Sequence, residues 1–127
     1  MKTFYLFLSV IAFNNLNAAS HANTLNLENS ISQYTEDGSP LCIAISKGDF
    51  EMVKKLVEYG VNINGKSKDL TPLMVAVMYN RIEIIKYLIA IGAKIGIKDE
   101  KGRTALAIAK FNNLEEAAVL LSNELKK

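Results

Sequence analysis

The amino-acid sequence predicts an all-α fold: a solenoid of stacked helix–turn–helix pairs with β-turn-like loops between them. Three observations predict it. The chain resembles itself at a spacing of about 33 residues, a period at which helical arrays place one supersecondary unit in each repeat. Each recurring segment opens and closes on residues that start and stop helices. Between those signals the apolar residues fall at helical, not alternating, spacing.

The segments run from Ser39 to Gly60 (SPLCIAISKGDFEMVKKLVEYG), from Thr71 to Gly92 (TPLMVAVMYNRIEIIKYLIAIG) and from Thr104 to Leu125 (TALAIAKFNNLEEAAVLLSNEL). Their starts lie 32 and 33 residues apart. Leu41, Leu73 and Leu106 hold one register; Ala44, Ala76 and Ala109 a second; Glu51, Glu83 and Glu116 a third; Leu56, Leu88 and Leu121 a fourth.

The opening Ser39, Thr71 or Thr104 can accept a hydrogen bond from a free amide of the first turn. Pro40 and Pro72 follow, where a missing N–H costs little. The first helix then ends near Gly48, Asn80 and Asn113, residues that tolerate a left-handed backbone. The second helix carries Met52, Val53, Leu56 and Val57, then Ile84, Ile85, Leu88 and Ile89 at helical spacing, and Gly60 and Gly92 end it. The middle second helix is apolar nearly all round, as a helix between two neighbours should be, whereas the last is amphipathic and ends in charge, as a terminal cap should.

These residues carry a resemblance. T-P-L-x-x-A, a short helix, a second helix built on E-[IV]-[IV]-K-x-L, and then G-A-x-[IV] together resemble the ankyrin repeat, over roughly Glu36 to Glu124 and most closely in TPLMVAVMYNRIEIIKYLIAIGAKI. Cys42, Met74 and Ala107 replace the family's usual His after T-P-L, Asp69 stands where a turn Gly is expected, and the loop before Thr71 is one residue short. The expected domains are a signal peptide at 1–20, a tether with a short capping helix at 21–35, and repeats over 36–127, at about 37–66, 67–99 and 100–125.

Export is expected from the N-terminus. Lys2 precedes the uninterrupted run Phe4 to Phe13, and small residues follow at Ala18, Ala19, Ser20 and Ala22. That run is short of the ~20 residues of a membrane-spanning helix but fits the apolar region of a signal peptide. No cysteine lies near the cleavage region to carry a lipid anchor, and Cys42 is the one cysteine, so no intrachain disulfide forms. The product is expected to be periplasmic or secreted, with a bacterial periplasm favoured, off the membrane once the leader is removed, and monomeric. Half of the residues are hydrophobic and the net charge is +2, a balance that gives no electrostatic case for nucleic acid or an anionic membrane.

The chemistry of an active site is missing from the sequence. It has no glycine-rich phosphate loop, metal-spaced Cys/His cluster or nucleophile elbow. Cys42 occupies a slot that is Met74 and Ala107 in the other segments, which reads as a small apolar core position. His21 is the only histidine; cleavage after Ala18 would place it third in the mature chain, a nitrogen set suited to Cu(II) or Ni(II). A metal- or redox-handling protein using His21 or Cys42 is therefore the alternative to the reading adopted, a non-catalytic binding module with no cofactor.

The resemblance implies that a partner protein docks on the concave face, where the variable positions are Ser46 and Lys47, Met78 and Tyr79, and Phe111 and Asn112, and where the loop tips offer Lys66, Lys68, Asp69, Leu70, Glu100, Lys101 and Arg103. Lys47, Met78, Tyr79, Arg103, Phe111 and Asn112 are the expected contacts, aromatic and sulfur anchors with a basic rim. An inhibitor, immunity-type partner or accessory factor of an enzyme would fit this description. If Tyr79 and Phe111 instead fold back between repeats, the face has no anchor.

Overall fold

A computed structural model describes residues 39–127, all within one compact unit, Tyr34–Lys127. The expected leader, tether and capping helix, and His21, lie outside the described residues. The described chain forms three helix pairs: α1 (Pro40–Lys47) with α2 (Phe50–Tyr59), α3 (Pro72–Met78) with α4 (Ile82–Ala90), and α5 (Ala105–Phe111) with α6 (Glu115–Leu125). The predicted solenoid of helix–turn–helix pairs is the observed fold.

Local signals fix each pair. Thr71 and Thr104 accept from the amides of Met74 and Ala107, both at 3.2 Å, meeting one orphan donor of the first turn. Ser39 departs from the expected cap: its side chain makes no capping bond, and its own amide donates to Ser67 Oγ at 3.0 Å. The turn between the helices of each pair passes through a left-handed residue, Gly48, Asn80 or Asn113. Although Asn serves at the equivalent places in the other two pairs, Gly48 is favoured on two counts. Its φ is 73°, and a Cβ there would lie 3.0 Å from the Arg81 guanidinium, which crosses from the next pair.

The first helices pack on one another in order, as do the second helices, giving two layers with the core between them. Two of the apolar registers become burial in all three pairs, while in the third register Leu41 and Leu73 are buried and Leu106 is partly exposed. Leu56, Leu88 and Leu121 are fully buried, as are Ala44, Ala76 and Ala109, while Glu51, Glu83 and Glu116 stay exposed. Phe50 meets Tyr87 edge-on at 5.4 Å between ring centres, joining α2 to α4, and Lys54 sits 4.5 Å over the Phe50 ring. Positions that face the next pair change character in the last one. Where Ile45 and Val77 are buried, Lys110 is exposed, and where Val53 and Ile85 are buried, Ala118 is partly exposed. At those two positions charge and a small side chain replace the branched apolar residues of the earlier pairs.

Candidate partner-binding face

The ends of α1, α3 and α5 form the expected face. Because these helices lie side by side in order, equivalent positions fall in a row. Met78 is 46% exposed, Tyr79 54% and Phe111 77%. The alternative, in which the aromatic rings fold back onto the core, is not what the structure adopts. Each ring sits in the last turn, where the chain leaves the packed part of its helix: Tyr79 caps α3 and its amide bonds the Val75 carbonyl at 3.1 Å. Lys47 and Asn112 are exposed at the matching ends of α1 and α5. Ser46 is partly buried, and its hydroxyl is engaged with the Ile43 carbonyl at 2.8 Å.

Two loop hairpins lead into α3 and α5 and are built differently. In the first, Ser67 and Leu70 exchange both backbone bonds, at 2.8 and 3.0 Å, around Lys68 and Asp69, whose φ values are 49° and 69°. Two positive φ values in succession mark a type I′ turn. In the second, Asp99 and Arg103 close a longer turn with Gly102 at φ 75°. The one-residue deficit in the sequence is the difference between these turns, and Asp69 takes the left-handed place that Gly102 takes in the second.

An unusual turn without glycine persists because tertiary bonds hold it. The Asp69 carboxylate accepts from the Glu100 amide and pairs with Lys66 Nζ at 3.3 Å. Lys66 Nζ also donates to the Lys98 carbonyl at 2.8 Å, and the Lys94 amide donates to Asn64 Oδ1 at 2.8 Å. The two hairpins are thereby tied to each other.

Arg103 has a structural duty that its place in the expected rim did not reveal. It grips the buried Asp99 through Nε and Nη2, both at 2.9 Å. Asp99 also accepts from the amides of Arg103 at 2.8 Å and Lys101 at 3.0 Å. The hydrogen bond from the Arg103 backbone, helped by the guanidinium charge, holds the Asp99 carboxyl below the usual aspartate range. An Asp three residues before a left-handed Gly is a turn signature in the sequence; its bond to Arg103 depends on the folded hairpin.

Cys42 is buried, as its slot suggested. Burial pushes its thiol above the ordinary range, and a hydrogen bond with Ser39 offsets part of that. Such a thiol is a poor nucleophile. Among the described residues no three His, Cys, Asp or Glu side chains are grouped to hold a metal ion, and no helix is long and apolar enough to cross a membrane. An open groove on the second-helix side is lined by Gly48, Phe50, Arg81, Ile82, Glu83 and Ile84. Its cation is already engaged: Arg81 Nη2 donates to the Ser46 carbonyl at 2.6 Å, and Nε is buried without an acceptor.

Residues 8–99 match a family model described as ankyrin repeats in three copies. The third helix pair described here lies beyond that match. No curated protein matches the chain.

Proposed function

We propose a function from a premise that the match establishes: this chain belongs to the ankyrin-repeat family. Repeats of this family are in general protein–protein interaction modules and are typically non-catalytic. On our reading, the protein is an exported, non-catalytic binding module, periplasmic or secreted. The leader at 1–20 is removed, the segment 21–35 is a tether, and the repeats grip one partner protein along the ends of the first helices. An inhibitor or accessory factor of an enzyme has this character, since nothing in the mechanism beyond binding is asked of the chain.

The observation that carries the reading is the row Met78, Tyr79 and Phe111: exposed large hydrophobics also occur at Tyr59, Val119 and Leu125 on the second helices, but these three fall together at matching ends of adjacent first helices. Large amphipathic rings presented on a rigid scaffold lose little freedom on binding and are frequent interface anchors. Lys47 and Asn112 border the row; Arg103 contributes at its edge only with the part of its side chain that Asp99 leaves to solvent.

The test is affinity capture from the exported fraction with the wild-type chain and a Tyr79→Ala/Phe111→Ala variant, followed by binding measurements with the recovered partner. Loss of roughly tenfold or more in affinity, worth ~1.4 kcal/mol, with an unchanged melting curve supports the reading. Full binding by the folded variant places the contact elsewhere and refutes it.

A further inference from the structure

Building on the reading that this face docks a protein, we infer that the bound element is an acidic segment, one in which carboxylates flank an apolar side chain. The argument is the sorting of charge between layers. None of α1, α3 and α5 contains an Asp or Glu. The hairpins that flank them carry Lys66, Lys68, Lys94, Lys98, Lys101 and Arg103 against Asp69, Asp99 and Glu100. Asp69 and Asp99 are paired with Lys66 and Arg103, so setting both ion pairs aside leaves Lys68, Lys94, Lys98 and Lys101 against Glu100. The other acidic residues of the described chain, Asp49, Glu51, Glu58, Glu83, Glu115, Glu116 and Glu124, all belong to the second helices or the turns that start them.

This sorting is not a by-product of a basic protein, since the chain as a whole is near neutrality at +2. Lys68 and Lys101 occupy equivalent places at the tips of two hairpins that Asp69 and Lys66 tie together, and both are exposed. The two hairpins lead into α3 and α5, the adjacent helices whose far ends carry the apolar row. A segment with carboxylates spaced about a hydrophobic residue meets the lysines at the tips and the rings at the helix ends, whereas a basic segment meets repulsion. A nucleic acid is the poorer match, because backbone recognition relies on cations distributed along many phosphates.

The experiment selects binders to the immobilised full chain from a random peptide library and measures the enriched peptides by fluorescence anisotropy. Each is compared with its own Glu→Gln and Asp→Asn version and with an oligothymidylate of equal length. Expected are net-acidic peptides with an aromatic or aliphatic residue. Amide replacement, and the protein variant Lys68→Glu/Lys101→Glu, should each weaken binding by roughly tenfold at low salt. Those differences should shrink near ~1 M salt, where the screening length is about 3 Å. Melting curves confirm that the variant is folded. Neutral or basic winners that still depend on Tyr79 and Phe111 overturn the acidic preference and leave the docking face standing. Winners insensitive to those rings and to the lysines overturn the face itself. Failure to enrich any peptide, or tighter binding of the oligonucleotide, also overturns the inference.

Discussion

Leu88→Ala is the sharpest probe of the stack. Leu88 is fully buried in α4, with Leu56 and Leu121 at the same register in the helices on either side, also fully buried. The substitution removes three carbons, about 2.4 kcal/mol at ~0.8 per methylene. Packing on both sides of α4 limits collapse into the void, so a cavity contribution raises the cost to about 3 to 4 kcal/mol, within the usual range for buried leucine. A repeat array of about 90 residues is stable by only about 4 to 13 kcal/mol. In urea, with a denaturant slope near 2 kcal/mol per molar, the midpoint should fall by roughly 1.5 to 2 M. The matched control is Leu121→Ala. Its helix has a neighbour on one side only, so the site can relax, and the loss should be smaller by about 1 kcal/mol. Equilibrium unfolding followed by circular dichroism decides the matter. An unmoved midpoint for Leu88→Ala, or a larger loss at Leu121, refutes the assignment of α4 as the sandwiched element.

Four further outcomes are expected. Cys42→Ala should cost about 1 to 2 kcal/mol in the same assay, by removing a buried sulfur together with its hydrogen bond to the part-buried Ser39. Tyr79→Ala and Phe111→Ala should each change stability by no more than ~0.5 kcal/mol, because both rings are in solvent; a collapse of the melting curve would show that they brace the core. Asp99 ionises more readily in the fold than in the unfolded chain. Its contribution to stability is therefore complete above the unfolded value, about 4, and is lost as pH falls from there through the lower folded value. Asp99→Asn should flatten that acid limb in unfolding midpoints measured across the range, and an unaltered limb would contradict the assignment. Intact-mass analysis of the protein recovered from its native compartment should show a chain lacking its first ~18 to 22 residues; a chain still starting at Met1 would end the case for export.

What the sequence made legible were the features that repeat. The Leu56, Leu88 and Leu121 register is stated three times and is buried three times, so the helix pairs and their order follow from periodicity. Exposure of Met78, Tyr79 and Phe111 is an expectation of the family resemblance, with aromatic rings folded back between repeats as the alternative, and it is the fold that decides for exposure. Features that occur once were harder to read. Lys68–Asp69 lacks the Asn-Gly signature of its turn, because the turn is held by bonds to residues about 30 positions away. Ser39 has the sequence of a cap yet makes no capping bond, its amide drawn to Ser67. Arg103 looked like a free cation at the rim, but its partner Asp99 emerges only when the hairpin closes.

The ties between the two hairpins are lopsided in a way that matters for redesign. In each, a side chain of the first hairpin meets the main chain of the second: Lys66 with the Lys98 carbonyl, Asp69 with the Glu100 amide, and Asn64 with the Lys94 amide. Main-chain groups do not depend on the residue that bears them, except that proline removes the amide. Positions 98, 100 and 101 are thus open to substitution at little structural risk, whereas 64, 66 and 69 are not. A library aimed at a new target belongs on the second hairpin, with the first left as its fixed mount.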